Sequence, residues 1–155
     1  MYYFLALIII FFDQLTKNLV FFGLPTGGQI DIFPWLSIVR VFNRGVSFSM
    51  FSSHSEIMPL ILTILTSLIS IGIAYWLYRE KNSLLKLGLA FVLGGAIGNI
   101  IDRIRLSAVI DFIDVHVGVY HWPAFNIADS MICLGAALIF YDTFFKARKK
   151  RKEEK

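Results

Sequence analysis

The chain has 155 residues, of which 57% are apolar and only 17% are charged, and its mean hydropathy is +0.68. Soluble domains carry about 25% charged residues, so this composition argues against a soluble domain and indicates a membrane protein. The single cysteine excludes an internal disulfide and a multi-cysteine zinc site.

Much of the formal net charge of +4 comes from the C-terminal end. Seven of the fifteen basic residues lie within positions 146–155, directly after an apolar run. This segment is expected to be a basic cytoplasmic tail beside a membrane. No folded basic surface accompanies it, so nucleic acid is not an expected partner.

The first apolar segment, at about 2–22, is interrupted by polar residues. These are Asp13, Gln14, Thr16, Lys17 and Asn18. A cleaved signal peptide is the alternative to a membrane-spanning helix. The segment lacks a basic start and a small-residue cleavage site, so we predict a transmembrane helix.

The next connection, about 23–56, contains a stretch that is rich in β-branched and aromatic residues. It runs from Gln29 to Met50 and is punctuated by Pro34 and Gly45. Such a composition predicts short strands, which we place at the membrane surface.

Three further apolar runs follow. The segment 57–78 has 22 residues without a charge, about 33 Å as a helix and enough to cross a bilayer. The segment 84–101 carries only Lys86, near one end, and its Gly94 and Gly98 form a G-x-x-x-G helix-packing pattern. The segment 127–145 has Asp129 and Asp142 near its two ends, and we expect Asp142 to pair with Lys146 one turn later.

The sequence therefore predicts a mainly α membrane protein with four transmembrane helices and a small extracytoplasmic β-rich region between helices 1 and 2. We expect a single domain over 1–145 and a tail over 146–155. The short connection between helices 2 and 3 contains Arg79 and Lys81, and the tail is basic. The positive-inside rule then places both termini in the cytoplasm and the two long connections outside. Asp111 and Asp129 belong to that outer side.

Asp111 and Asp129 are the candidates for chemistry. An unpaired carboxylate is costly to remove from water, so two of them in an apolar region need a reason. If two aspartates lie close together, one retains a proton near neutral pH. The ionised one can then draw a proton from water while its partner polarises a carbonyl, which would hydrolyse a peptide bond. The spacing alone does not establish that they meet.

Other types of site stay open at this point. Asp111, Asp114, His116 and His121 are a possible metal-ligand set, although their spacing matches no zinc signature. Ser130 has no evident histidine base, which disfavours a serine hydrolase. A proton-coupled transporter would also keep carboxylates in the membrane, but it would place them near the midplane and show a repeat. A non-enzymatic membrane adaptor would need neither aspartate.

Five motifs in order carry a resemblance that covers nearly the whole chain. They are D-Q-L-T-K at 13–17, F-N-R-G-V-S-F at 42–48, G-N-I-I-D-R at 98–103, V-I-D-F at 109–112 and P-A-F-N-I-A-D at 123–129. The sequence resembles the lipoprotein signal peptidases (signal peptidase II), which are bacterial membrane aspartyl proteases. It departs from the family at Val46 and Ser47, where alanines are commoner.

The resemblance assigns roles to individual residues. It implies a catalytic dyad of Asp111 and Asp129, with no cofactor and no metal. The supporting or substrate-binding positions that it implies are Asn43, Gly45, Asn99, Arg103, Asn126, Asp13 and Lys17. We expect Asp13 and Lys17 to form a structural ion pair one turn apart. The alternative for Asn99 and Arg103 is a helix-end cap and an interfacial anchor, and Asp102, expected in a loop, is given no role.

The resemblance also implies the substrate and the location. The substrate would be a prolipoprotein whose cysteine already bears a diacylglyceryl group, and cleavage would fall just before that cysteine. The enzyme would be a monomer in the bacterial cytoplasmic (inner) membrane, in contact with membrane lipids. By family analogy, the connection 26–55 would act as a flap over the site. Trp35 and Trp122 fit an aromatic belt at the outer interface.

Overall fold

A computed structural model describes residues 1–45 and 57–146, with the side chain of Lys146 left out. The elements in chain order are α1 (Tyr2–Gly23), β1 (Gln29–Phe33), β2 (Leu36–Asn43), α2 (Ile57–Arg79), α3 (Ser83–Leu106), β3 (Val109–Val117), β4 (Tyr120–His121) and α4 (Ile127–Tyr141), which continues as a π-helical turn, Asp142–Lys146. Within these described residues, four helical segments are long and apolar enough to cross a membrane, which confirms the predicted architecture.

Helix α3 is the centre of the bundle and packs against the other three helices. Glycines permit this close packing. A Cβ added at Gly94 would lie 2.9 Å from the carbonyl oxygen of Ala6 in α1, and one at Gly135 would lie 2.5 Å from the carbonyl oxygen of Gly88. The packing role predicted for the G-x-x-x-G pattern is therefore confirmed for Gly94, and glycine also sets the contact between α3 and α4.

We predict that Gly95→Ala destabilises the bundle by about 1–3 kcal/mol, the usual cost of overpacking. The added Cβ would collide with the carbonyl oxygen of Ala128 in the first turn of α4, where backbone has little room to move. Gly72→Ala is the matched control, because a Cβ added there would have no atom of the described residues within 4 Å. The melting temperatures of the two variants in detergent test this prediction. Equal melting temperatures would contradict the close packing of Gly95 against α4.

The four strands form one antiparallel sheet in the order β1-β2-β3-β4. The sequence predicted strands only between helices 1 and 2, and that expectation is incomplete, because β3 and β4 come from the connection between α3 and α4. The register pairs Val41 with Asp111 and Asn43 with Val109. This pairing places Asn43 beside the strand that carries Asp111. The predicted strand residues 46–50 and the whole part of the predicted flap beyond Gly45 lie outside the described residues.

Helix α3 extends past its predicted end at 101. Asp102 and Arg103 therefore lie inside the helix, which corrects the loop position expected for Asp102. The helix ends at Leu106, and Ser107 follows in a left-handed conformation with φ 53°. The charge of Asp102 does not end the helix, because its side chain is fully buried and paired.

Two expectations concern residues near the edges of the bundle. The predicted pairing of Asp142 with Lys146 stays a prediction, because the side chain of Lys146 lies outside the described part of the structure. Asp142 accepts a hydrogen bond from Asn82 Nδ2 at 2.6 Å. Trp35 and Trp122 are exposed, at 53% and 69%. Their place in an interfacial belt stays a prediction.

Candidate active site

Asp111 and Asp129 are joined by one asparagine. Asp111 lies on β3, and Asp129 is the third residue of α4, whose N-cap is Asn126. The Asn126 side chain donates from Nδ2 to Asp111 Oδ1 at 2.7 Å and accepts at Oδ1 from the Asp129 backbone N–H at 2.9 Å. The carboxylate of Asp129 in turn accepts from the Asn126 N–H at 3.3 Å. This capping box links the helix start to the strand, so both predicted acids belong to one site.

Asn43 supports Asp111 from the neighbouring strand. Its Nδ2 donates to Asp111 Oδ2 at 2.9 Å, and its Oδ1 accepts from the Gly45 N–H at 2.8 Å. Gly45 has φ +88°, and a Cβ there would collide with the Leu62 side chain. A residue with a side chain would be strained at this backbone conformation, which explains the glycine in the motif.

Asn99 supports Asp129 from α3. Its Nδ2 donates to Asp129 Oδ1 at 2.8 Å, and its Oδ1 accepts from Lys17 Nζ at 2.9 Å. The alternative expected for this residue, a helix-end cap, is wrong, since Asn99 lies within α3 and is buried.

A buried ion network holds the site from α1. Lys17 Nζ lies 2.8 Å from Asp13 Oδ2, which confirms the predicted pair, and 3.0 Å from Asp102 Oδ2. Asp13 also accepts from the Ala128 N–H at 2.9 Å, and Asp102 accepts from the Ile110 N–H at 3.1 Å. Ala128 precedes Asp129 and Ile110 precedes Asp111, so the network fixes the backbone next to both acids.

Asp102 is the site residue that sequence reasoning missed. It is fully buried and also accepts from Gln14 Nε2 at 2.9 Å. The sequence contains one indication of this role. Asn99 and Asp102 are three residues apart, and residues at this spacing share one face of a helix.

Arg103 is half-buried near the two acids. Its guanidinium interacts electrostatically with Asp129, Asp111 and Asp102. Among residues 1–45 and 57–146, no hydrogen bond or ion pair holds it. A cation placed in this way beside two carboxylates can contact a third group that enters the site.

Burial raises the pKa of the Asp111 carboxyl to about 6. Hydrogen bonds from Asn43 and Asn126 favour the ionised form and lower this pKa, whereas the negative charge of Asp129 raises it. Asp111 is only 3% exposed. It is therefore suited to retain a proton beside a second carboxylate.

The alternative chemistries are not assembled in the described part of the chain. Asp114 pairs with His121 Nδ1 at 2.8 Å, and the rings of His116 and His121 stack at 4.7 Å. No group of three His, Cys, Asp or Glu side chains within the described ranges could hold a metal ion. Ser130 donates to the carbonyl oxygen of Asn126 at 3.0 Å, as an ordinary residue of a helix start.

Comparison with known proteins supplies the family. Residues 5–145 match the family model described as signal peptidase (SPase) II. The lipoprotein signal peptidase of Polynucleobacter necessarius subsp. necessarius (strain STIR1) is 40% identical over 92% of this chain and 88% of its own length. That of Burkholderia thailandensis is 41% identical over 93% of this chain and 87% of its own length.

A solved structure agrees with the sequence comparison. A bacterial membrane enzyme determined by the in meso method at 1.9 Å superposes with a TM-score of 0.80 and 29% identity, covering 91% of this chain and 90% of the other. The chain therefore shares its fold with a bacterial membrane enzyme. The chain belongs to the signal peptidase II family.

Proposed function

We propose that this protein is an aspartic endopeptidase that removes the signal peptide from diacylglyceryl-modified prolipoproteins, with Asp111 and Asp129 as its catalytic pair. Membership of the signal peptidase II family supports signal peptide removal. The observation that carries the aspartic assignment is the bridge through Asn126, whose side chain donates to the Asp111 carboxylate and whose backbone N–H donates to the Asp129 carboxylate.

In the proposed reaction, protonated Asp111 donates a hydrogen bond to the carbonyl oxygen of the scissile peptide. Ionised Asp129 takes a proton from a water molecule as that water attacks the carbonyl carbon. The proton held by Asp129 then passes to the leaving amide nitrogen as the C–N bond breaks. The products are the carboxylic acid of the signal peptide, which then ionises, and the amine of the lipid-modified cysteine.

The surrounding polar residues orient the acids and the substrate. Asn43 and Asn126 hold Asp111, and Asn99 holds Asp129. Gly45 fixes the turn beside Asn43. We assign Arg103, which lies close to both acids, to contact with the substrate backbone.

The four apolar helices and the family support a multi-pass protein of the bacterial membrane. We further propose that both termini are cytoplasmic and that the site lies near the outer face, since the basic residues favour this orientation. A lipid-anchored cysteine would then hold the scissile bond at the depth of the two aspartates. We also propose that the protein acts as a monomer and needs no cofactor.

The proton-coupled transporter is the less favoured function. The family assignment gives it no support. The two acids also lie at one end of the bundle, at the start of α4 and beyond the end of α3, whereas a transporter site is expected near the bilayer midplane.

The pH dependence of kcat/KM tests which acid carries the proton. We expect the activity to fall on the alkaline side with an apparent pKa near 6, because Asp111 must be protonated and its pKa is raised to about 6. Asn43 stabilises the ionised form, so Asn43→Ala should move this alkaline limb to higher pH.

The control is Asn82→Ala, a change at the opposite end of α3, where Asn82 is the N-cap. This variant should keep the alkaline limb of the wild type. A limb that stays in place or moves to lower pH in Asn43→Ala would show that Asp111 is not the protonated acid.

A further inference from the structure

An apolar groove lies at the end of the bundle opposite to the two acids. It has a volume of about 620 Å³ and is lined by the first turns of α1 and α3, including Tyr2, Leu5, Ile8, Ser83, Leu84 and Leu87. Its volume falls within the range of about 300–1,000 Å³ that small-molecule sites occupy. Leu84 and Asn99 are about 22 Å apart along α3, at about 1.5 Å per residue. The groove is therefore separate from the candidate active site.

Positive charge lies near the mouth of this groove. Lys86 Nζ lies 5.7 Å from the ring centroid of Tyr2, which is itself a lining residue. Lys81 is exposed and comes two residues before Ser83. The N-termini of α1 and α3 both border the groove, and a helix N-terminus carries a partial positive charge.

Two acidic residues, Glu80 and Asp142, lie at the same connection, and both carboxylates accept hydrogen bonds from it. Asp142 accepts from Asn82 Nδ2 at 2.6 Å. Glu80 Oε1 accepts the backbone N–H groups of Lys81 and Asn82, at 2.8 Å and 2.9 Å, and its Oε2 accepts from Trp76 Nε1. The Glu80 carboxylate is thus directed at its own loop. The lysines and the helix ends leave the mouth attractive to an anion.

An apolar groove with a cationic edge suits a molecule that has an acyl chain and an anionic headgroup, since basic pockets between transmembrane helices bind such lipids. We propose that this groove binds one acyl chain of an anionic phospholipid, with the phosphate against Lys86 and Lys81. A zwitterionic phospholipid would fill the same apolar walls but would gain less from the two lysines. A free phosphate would leave the apolar walls empty.

Native mass spectrometry of the purified chain tests this site by titration with phosphatidylglycerol and with phosphatidylcholine of the same acyl chains. The wild type should retain one phosphatidylglycerol more tightly than phosphatidylcholine. Lys86→Gln and Lys81→Gln should each weaken phosphatidylglycerol binding about fivefold, as expected for one lysine at a lipid headgroup, and leave phosphatidylcholine unchanged. Arg105→Gln, at the other end of α3, is the control and should leave both affinities unchanged.

A second pair of variants tests the acyl-chain part of the groove. Leu87→Trp fills the groove and should weaken binding of both lipids. Leu68→Trp changes a residue of α2 that is 62% exposed and should weaken binding of neither. The proposal is overturned if both lysine variants bind phosphatidylglycerol like the wild type. It is also overturned if Leu87→Trp binds both lipids normally, or if glycerol phosphate competes as strongly as the intact lipid.

Discussion

Asp111→Asn and Asp129→Asn should each lower cleavage of a diacylglyceryl-modified prolipoprotein by about 100- to 10,000-fold. Each substitution removes a group that transfers or shares a proton in the proposed reaction, and positioned acid–base groups contribute about 10²–10⁴-fold each. Asparagine keeps the size of the side chain and can still accept a hydrogen bond from Asn126 or Asn99. The loss should therefore appear as a lower kcat in variants that remain folded.

The matched control is Asp114→Asn on the same strand. Asp114 is also buried, but its carboxylate pairs with His121, so this variant should cleave at close to the wild-type rate. Thermal unfolding of all three variants separates a catalytic loss from misfolding. If Asp111→Asn or Asp129→Asn cleaves like the wild type while folded, that residue is not part of the catalytic pair.

Lys17→Met should be the most destabilising single change in the network, at about 3–5 kcal/mol, the usual cost of breaking a buried ion pair from one side. It leaves the carboxylates of Asp13 and Asp102, both fully buried, without their cation. The melting temperature in detergent measures the loss. Arg79→Met, at the exposed end of α2, is the control and should change the melting temperature little.

The triple variant Asp13→Asn, Lys17→Met and Asp102→Asn separates charge from packing. With both carboxylates replaced by neutral amides, part of the lost stability should return, because no uncompensated charge is left buried. Activity should stay low, because the side-chain oxygen Oδ1 of Asn99 still lacks its donor, Lys17 Nζ. That hydrogen bond orients the Asn99 side chain toward Asp129. A triple variant as unstable as Lys17→Met would show that the network does not act through charge.

The transmembrane helices could be predicted because their signal is local. Long apolar runs with few charges predicted four helices close to their observed bounds. The end of α3 could not be predicted in the same way. Asp102 resembles a helix boundary in sequence, but its charge is neutralised by Lys17 from a different helix, and no pattern near Asp102 shows that partner.

The sheet was predictable only in part, for a similar reason. The strands β1 and β2 lie in a segment of high β propensity between helices 1 and 2. Strand β3 is less evident, because Asp111 and Asp114 interrupt its apolar residues, and its pairing with β2 joins segments far apart in the chain. Hydrogen bonds to the neighbouring strand β2, rather than its own composition, therefore determine that this segment is a strand.

Apart from Asp102, the members of the candidate site were predictable from the family motifs, but their contacts were not. The spacing of 18 residues between Asp111 and Asp129 is compatible with many arrangements. Asp111 and Asp129 are linked through Asn126, whose side chain caps α4 and also donates a hydrogen bond to Asp111. The pair of Asp13 with Lys17, by contrast, follows from helical spacing alone.

The most direct test of a metal-free aspartic signal peptidase is to incubate the purified chain with a diacylglyceryl-modified prolipoprotein in the presence of a chelator. Mass spectrometry then identifies the products. We predict one cut, just before the modified cysteine, at the same rate with and without chelator, and none by the double variant of Asp111→Asn and Asp129→Asn. Loss of cleavage with chelator, or the same cut by the double variant, would contradict this mechanism.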